Sequence, residues 1–365
     1  MKIILDNIIF SLQKSGGIST LWGEFILYLQ AINIKRFFLE YPNSNVNIVR
    51  QDLHIDKNEC KTFKTAILPI TRFFNPQVTF KRKHIFISSY YRYSRNPNSI
   101  NVTIVHDFTY EYYRKGMARW IHTLQKRNAI RHSKGVICIS ENTKKDLLKF
   151  CPEAGNKNIT VIHNGVADVF KPITHKFSWK EIKTNLHSLD NKKCILFVGS
   201  RAGYKNFQLA AEAFSKLSSE YHFIIVGPRF TIKETRNLQL LVPEDRYTIL
   251  ENVSNHDLNK IYNSCFVLLY PSAYEGFGIP ILEAMVTGLP VIAMKRSSIP
   301  EVVGDAALLL KTDQPEEIVA KITQLDDVHL YEKLRSRGLE QSAKFSWKNT
   351  MEQYIEFFKK LYNEN

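Results

Sequence analysis

The stretch FVLLYPSAYEGFGIPILEAM, residues 266–285, predicts a strand, a turn and a helix in one continuous run. Residues 266–270 are apolar throughout, as expected for a strand that is buried on both faces. Glycines follow at 276 and 278, and Pro280 stands in the first turn of the helix predicted over 279–286. Backbone N–H groups at such a helix start attract anions. The stretch therefore predicts an α/β unit with an anion site where a strand ends.

The second half of the chain repeats this alternation of strands and helices. Apolar runs predict further strands at residues 194–199, 223–227, 247–250, 290–294 and 307–310. Helical spacing appears at 206–217 and 256–264. Alternation with short loops is typical of a doubly wound parallel sheet.

The first half shows the same alternation with longer loops. The predicted strands are 3–10, 85–88, 102–106 and 136–140, and the predicted helices are 19–29 and about 114–132. A chain of 365 residues exceeds the usual size of one hydrophobic core. We therefore expect two Rossmann-like α/β domains. The predicted boundaries are 1–170 for the first domain, 171–192 for a linker, 193–345 for the second domain, and 346–365 for a helix packing back toward the first.

Two carboxylates accompany the opening stretch. Glu275 lies in the loop after the strand, at the sheet edge where open α/β sheets bind ligands, and Glu283 lies one turn into the helix. A carboxylate accepts hydrogen bonds from two adjacent hydroxyl groups, as on a hexose or a ribose. Taken singly, either residue is more often a solvated surface charge. Taken with the whole string, they indicate a binding site for a hydroxyl-rich ligand.

The Glu-x7-Glu spacing of Glu275 and Glu283 resembles that of retaining glycosyltransferase family 4, which has the GT-B architecture. That architecture implies two Rossmann-like domains that face a central cleft. The resemblance implies that Glu275 is catalytic and contacts the donor sugar, while Glu283 binds the ribose hydroxyls. It also implies donor-binding roles for Gly276, Phe277, Gly278 and Ile279, and main-chain contacts to the base near Asn252 and Val253.

A second motif, Arg201 and Lys205, lies in the loop that follows the apolar run 194–199. A departing nucleoside diphosphate accumulates negative charge, which either a divalent metal or fixed cations must neutralise. The sequence contains no Asp-x-Asp motif to hold a metal, so we expect metal-free catalysis with no cofactor. In the resembling family the diphosphate-binding Arg/Lys pair lies here, and the short gap resembles bacterial mannosyltransferases.

In the first half, Gly16 and Gly17 resemble the family's glycine loop beneath the donor phosphates. His106 resembles its cleft histidine, which implies a catalytic role in positioning donor or acceptor. A plain turn and a structural histidine remain open as alternatives for these residues.

Charge is distributed unevenly along the chain. Residues 1–170 hold 25 lysines and arginines against 12 aspartates and glutamates, whereas residues 171–365 hold 25 against 23. The first half is therefore expected to face an anionic partner, either a membrane surface or a lipid-pyrophosphate-linked acceptor. A solvated lysine-rich face is the alternative, and no nucleic-acid module is visible. The five scattered cysteines predict neither disulfides nor a zinc site.

The sequence predicts a retaining, metal-independent glycosyltransferase. It would transfer a hexose such as mannose or glucose from a GDP-, UDP- or dTDP-linked donor to a glycan or lipid-linked acceptor in bacterial O-antigen or capsule biosynthesis. The protein is expected in the cytoplasm or peripherally at the inner face of the membrane. The alternatives are an epimerase-like enzyme of the same fold and a non-catalytic nucleotide-sugar-binding protein. A dinucleotide dehydrogenase is disfavoured because no strand precedes a Gly-x-Gly-x-x-Gly motif.

Overall fold

The computed structural model describes residues 1–63, 71–174, 178–182 and 184–364. The chain divides into two compact units. The first comprises Met1–Gly165 with Trp347–Asn365, and the second comprises Val166–Ser346. Each has its own parallel sheet, which confirms the predicted α/β class with two Rossmann-like domains.

The first unit contains a sheet with the order β3-β2-β1-β4-β5-β6-β7 among the described residues. Its strands are β1 (Ile3–Asp6), β2 (Arg36–Glu40), β3 (Cys60–Thr62), β4 (His84–Ser88), β5 (Ser99–Val105), β6 (Gly135–Cys138) and β7 (Asn158–Val161). Every recorded pairing in it is parallel. The chain runs outward from β1 to one edge and then returns to build the other side from β4.

Helices pack around this sheet. They are α1 (Ile9–Leu12), α2 (Gly17–Ala31), α3 (Ile48–Gln51), α4 (Thr109–Tyr113), α5 (Gly116–Arg131), α6 (Glu141–Phe150) and α14 (Trp347–Glu364). Helix α14 belongs to the first unit because its apolar face packs on α2, where Phe25 contacts Tyr354 and Phe358 edge to face at 5.8 and 5.9 Å between ring centroids. Gly135 permits this packing, since a Cβ there would lie 2.4 Å from the Leu361 side chain.

The second unit contains a sheet with the order β10-β9-β8-β11-β12-β13. Its strands are β8 (Lys193–Val198), β9 (Tyr221–Val226), β10 (Tyr247–Leu250), β11 (Val267–Tyr270), β12 (Val291–Met294) and β13 (Leu308–Leu310). Its helices are α7 (Phe207–Ser215), α8 (Ile232–Gln239), α9 (Asn255–Ser264), α10 (Ile279–Val286), α11 (Ile299–Val303), α12 (Pro315–Gln324) and α13 (Val328–Ser342). All its recorded pairings are parallel.

Short 3-10 turns complete the two units. They span Ser44–Val46, Lys57–Glu59, Pro152–Asn156, Trp179–Glu181, Thr184–Asn191, Gly203–Lys205 and Glu244–Arg246. None of the helices in the described part of the chain has the length and apolar character needed to cross a membrane.

Two predicted elements are shorter than expected. The strand predicted over 3–10 ends at Asp6, whose carboxylate pairs with the buried Arg92 at 3.0 Å, and a short helix begins at Ile9. The helix predicted over about 114–132 begins only at Gly116, because Lys115 is extended and Gly116 has a φ of 70°. A positive φ is tolerated there because glycine has no Cβ.

The predicted boundaries differ from the division in the structure. Most of the segment 171–192, expected to be a linker, groups with the second unit, while residues 175–177 and 183 lie outside the described part. The Lys171 N–H donates to Asn259 Oδ1 at 3.0 Å, and the Ile173 N–H donates to Asn263 Oδ1 at 2.8 Å. These hydrogen bonds to α9 fix the start of a segment whose polar composition resembles a linker.

A buried ion pair supports the turn after β5. The Lys126 Nζ lies 2.9 Å from Glu111 Oε2, and both side chains are almost fully buried. The same ammonium donates to the Asp107 carbonyl at 2.8 Å and lies 4.1 Å from the centre of the Phe108 ring. Residues 106–108 are therefore held by a charge that has no access to water.

Replacing Lys126 with alanine should lower the free energy of unfolding by about 3–5 kcal/mol, because Glu111 would remain buried without its counter-charge. Urea unfolding followed by circular dichroism would measure the loss. Lys144→Ala is the matched control, since its 3.8 Å pair with Glu141 is solvent-exposed and should contribute under about 1 kcal/mol. Equal losses in the two variants would contradict this view of the buried pair.

Candidate active site

The second sheet reverses its strand order between β8 and β11. Strands β9 and β10 lie on one side of β8, and β11 to β13 lie on the other. Adjacent parallel strands carry their next loops at the same edge, and doubly wound sheets bind ligands at this reversal. The loop after β8 carries Arg201 and Lys205, and the loop after β11 carries Glu275.

Hydrogen bonds to main-chain carbonyl groups hold these two loops together. The Ala273 N–H donates to the Tyr204 carbonyl at 2.7 Å, and Asn206 Nδ2 donates to the Pro271 carbonyl at 3.0 Å. Asn206 has a left-handed backbone with a φ of 51°, a conformation that asparagine tolerates better than most residues. The relative position of the two motifs is thus set by backbone as well as by side chains.

The predicted catalytic residues Lys205 and Glu275 are in direct contact. Lys205 Nζ lies 2.6 Å from Glu275 Oε1 and 3.2 Å from the Tyr270 hydroxyl. The Glu275 backbone is fixed as well, because its N–H donates to Ser297 Oγ at 2.9 Å and its carbonyl accepts from Ser298 Oγ at 3.0 Å. The carboxylate is therefore charge-paired and held in one position.

Arg201, in the same loop as Lys205, is held by contacts with residues 229–234. Its Nε donates to Glu234 Oε1 at 2.9 Å, its Nη2 donates to the Arg229 carbonyl at 2.9 Å, and its guanidinium lies 3.9 Å from the centre of the Phe230 ring. The Arg201 side chain is 5% exposed. Sequence reasoning missed Glu234 and Phe230; the pattern Thr231-x-x-Glu234 predicts a helix cap, which the structure contains.

The end of β9 is also adapted to the loop that carries Arg201. A Cβ at Gly227 would lie 2.3 Å from the Gly199 carbonyl oxygen and 3.3 Å from Arg201 Nη1. Only glycine allows such close approach of backbone to backbone. Gly227 was placed in a strand by the sequence but not assigned to the site, because a glycine that ends a strand is usually a simple turn signal.

The glycine-rich turn after β11 leads into α10 as predicted from the sequence. Gly278 has a φ of 111° and precedes the first residue of the helix, Ile279, with Pro280 next. Phe277 is buried against Phe345, with 5.8 Å between ring centroids. The remaining predicted glycine, Gly276, stands between Glu275 and Phe277 in the same turn.

Glu283 lies on α10 in a very different environment from Glu275. The Tyr262 hydroxyl donates to Glu283 Oε2 at 2.8 Å. Desolvation raises the pKa of Glu283 to about 7, and the hydrogen bond from Tyr262 opposes that rise. This carboxyl group therefore changes its charge near neutral pH.

The remaining predicted site residues lie outside the two loops that carry Lys205 and Glu275. Asn252, with a φ of 52°, and Val253 follow β10, at the edge of the second sheet. Gly16 precedes α2 in the first unit, its carbonyl accepts from Ser19 Oγ at 2.9 Å, and Gly17 begins that helix. His106 follows β5, also in the first unit, and burial lowers its pKa to about 4, so this imidazole is neutral at pH 7.

The chain is similar to known glycosyltransferases in sequence and in fold. Residues 179–341 match the profile of the family described as glycosyl transferases group 1. The whole chain superposes on sucrose-phosphate synthase from Thermosynechococcus elongatus with a TM-score of 0.77 at 16% identity, covering 100% of both chains. The HepE protein of Anabaena, solved with UDP and glucose, gives a TM-score of 0.72 at 16% identity and covers 98% of this chain and 99% of that one.

Two of its relatives in sequence are O-antigen chain mannosyltransferases of enteric bacteria. O-antigen chain mannosyltransferase B of Escherichia coli is 38% identical over 175 residues, which cover 46% of this chain and 45% of the relative. O-antigen chain mannosyltransferase RfbU of Salmonella typhimurium is 29% identical over 236 residues, 62% of each chain. The match thus spans less than two thirds of the length of these relatives. Residues 179–341 thus match this glycosyltransferase family, and the chain shares its fold with GT-B glycosyltransferases, which supports the predicted resemblance to glycosyltransferase family 4.

Replacing Tyr262 with phenylalanine should raise the pKa of Glu283 above about 7, because the hydrogen bond that favours the ionised carboxylate is lost. A pH titration of ¹³C-labelled glutamate side chains by NMR would measure the change. The Glu283→Gln variant identifies the resonance. An unchanged or lowered pKa in Tyr262→Phe would show that this hydroxyl does not stabilise the carboxylate.

Proposed function

We propose that the protein is a retaining, metal-independent glycosyltransferase that transfers a hexose from a nucleoside-diphosphate sugar to a glycan or lipid-linked acceptor. The observation that carries this proposal is the Lys205–Glu275 pair at the strand-order reversal of the second sheet. Arg201 lies in the same loop as Lys205, so two fixed cations are available to neutralise a leaving diphosphate.

The roles of the second-unit residues follow from their chemistry. Lys205 and Arg201 would bind the diphosphate, with backbone N–H groups at the start of α10 adding positive potential. Glu275 would accept hydrogen bonds from the sugar hydroxyls, and Glu283 from those of the ribose. In the first unit, neutral His106 would position donor or acceptor, and Gly16 and Gly17 would leave room for phosphate.

Retention of configuration is inferred from the resemblance to the family, and the state of Glu275 bears on the route by which it would occur. A carboxylate that is 2.6 Å from an ammonium group is a weakened nucleophile, which disfavours a covalent glycosyl-enzyme. We therefore propose attack from the face that the leaving group vacates. In that course the donor's phosphate oxygen takes the acceptor proton while Arg201 and Lys205 hold the diphosphate. The anomeric configuration of the product, read from its one-bond ¹³C–¹H coupling constant at C1, tests retention, and a trapped covalent glycosyl-enzyme would contradict the front-face route.

The acceptor class rests on the relatives. Two of them are O-antigen chain mannosyltransferases of enteric bacteria, so we propose mannose or a related hexose as the transferred sugar and a cell-surface polysaccharide as the product. The HepE structures contain UDP or UDP-glucose, which supports a nucleotide sugar as donor; a GDP- or dTDP-linked sugar remains equally compatible with the site.

Nucleoside diphosphates should raise the melting temperature of the protein, and the shift should persist in EDTA because fixed cations bind the diphosphate. Lys205→Ala should reduce the shift and lower kcat by about 10²–10³-fold. Thermal-shift assays with UDP, GDP, dTDP and their sugars, followed by a transfer assay, would measure both effects.

The matched control for this experiment is Lys216→Ala, which removes an exposed lysine paired with Glu316 in the same unit. It should leave ligand shift and rate unchanged. Stabilisation that appears only when a divalent cation is added would contradict metal independence. Sugar-nucleotide isomerisation without transfer would favour the epimerase-like alternative.

We further propose that the first unit docks reversibly on an anionic membrane. Where α4 ends and α5 begins, Met117 and Trp120 are 75% and 66% exposed, and Lys115 and Arg119 are exposed beside them. Tryptophan favours the bilayer interface, and each basic residue near an anionic leaflet contributes about 1 kcal/mol. The positive charge of residues 1–170 matches the same partner.

The double variant Met117→Ser, Trp120→Ser should bind phosphatidylglycerol vesicles roughly tenfold more weakly, because two apolar side chains no longer enter the interface. Co-sedimentation at low and high salt would measure binding, which should fall with salt in every variant. Leu240→Ser with Val328→Ser is the control, since these exposed apolar residues lie on the second unit. Equal losses in both double variants would argue against a specific docking surface.

A further inference from the structure

Arg201 is held by a set of contacts that leaves one edge of its guanidinium without a partner. The Nε and Nη2 atoms donate to Glu234 and to the Arg229 carbonyl, both at 2.9 Å, and the Phe230 ring covers one face. Nη1 is buried and finds no hydrogen-bond partner among the described residues. A buried donor without an acceptor is costly, so its presence indicates a ligand group that is bound during function.

The position of Nη1 indicates which ligand group this is. The atom lies close to Gly227, where a Cβ would approach it to 3.3 Å, and therefore at the ends of the two adjacent strands β8 and β9. Ligands of doubly wound sheets bind at this edge. An anionic oxygen there would receive a charge-assisted hydrogen bond from a guanidinium that is already oriented.

Glu234 is itself fixed. Its Oε2 accepts from the Thr231 N–H and from Thr231 Oγ1, both at 2.8 Å, so the carboxylate is part of the cap that begins α8. The backbone hydrogen bond from Thr231, with that from Arg201, lowers the pKa of Glu234 to about 2. The carboxylate is thus ionised at any working pH and does not release Arg201 through protonation.

We propose that Glu234 is a positioning residue: it holds the guanidinium of Arg201 so that Nη1 faces the diphosphate of the donor. This inference rests on the proposed function, because it takes Arg201 as a ligand of the diphosphate. Glu234 does not touch the donor. It contributes by removing the rotational freedom that Arg201 would otherwise lose on binding.

The test compares diphosphate with monophosphate binding. Isothermal titration with UDP, GDP and dTDP identifies the diphosphate that binds best, and its monophosphate is then titrated in parallel. Glu234→Ala should weaken diphosphate binding roughly tenfold and leave monophosphate binding within about twofold. Glu234→Gln keeps an acceptor oxygen for Arg201 Nε and should show an intermediate loss.

A double-mutant cycle separates positioning from a general structural role. In an Arg201→Ala background, Glu234→Ala should cause no further loss of diphosphate affinity, because the side chain that it positions is gone. Asp327→Ala is the matched control: it removes the cap of α13, where Asp327 accepts from the His329 N–H at 2.9 Å. It should lower the melting temperature and leave both affinities unchanged.

Four results would overturn the inference. Equal weakening of monophosphate and diphosphate in Glu234→Ala would indicate a distorted domain, and an undiminished loss in the Arg201→Ala background would show that Glu234 acts independently. If Arg201→Ala itself leaves diphosphate binding intact, or if the unmodified protein binds none of the three diphosphates, the proposed role of Arg201 fails and this inference fails with it.

Discussion

The parallel pairing of β8 with β11 is the constraint on which the candidate site depends. The two strands are far apart in sequence, yet Val267 and Leu268 pair in register with Ile195 and Leu196. Both strands are almost completely buried, so a shift of one residue would exchange their two faces and disrupt the packing on each side. The register therefore fixes where each strand ends and where the loops that carry Lys205 and Glu275 begin.

Much of the fold could be predicted because buried parallel strands have uninterrupted apolar sequences. Residues 194–198 and 266–270 have no polar interruption, and Gly199 and Pro271 follow them. The order of the strands in the sheet has no such local sequence pattern. Contact between Lys205 and Glu275 requires β8 and β11 to be neighbours, which the sequence alone does not specify. The resemblance to a known family assigned both residues to the donor but gave no strand order.

The features that sequence reasoning missed share a physical cause. Glu234 lies in a polar segment, where a glutamate three residues after a threonine predicts a helix cap and not a site. Phe230 and Gly227 have roles only through their distance to Arg201, and such distances arise from tertiary packing. The boundary near residue 171 was misplaced for a related reason: a polar segment looks like a linker until a few hydrogen bonds, such as that from Lys171 to Asn259, hold it against a helix.

The two carboxylates of the Glu-x7-Glu motif illustrate how one pattern provides two environments. Glu275 is paired with an ammonium at 2.6 Å, whereas Glu283 accepts from the Tyr262 hydroxyl and has a pKa raised to about 7 by desolvation. Glu275 lies in the loop before α10, beside Lys205, whereas Glu283 lies one turn into the helix, beside Tyr262. Lys205 compensates the charge of the first carboxylate beside an anionic ligand. The second has no such compensation, so hydroxyl donors from a bound ribose would replace the solvation that burial removes and lower its pKa again. If Glu283 binds the ribose as proposed, that binding would be coupled to release of a proton near neutral pH.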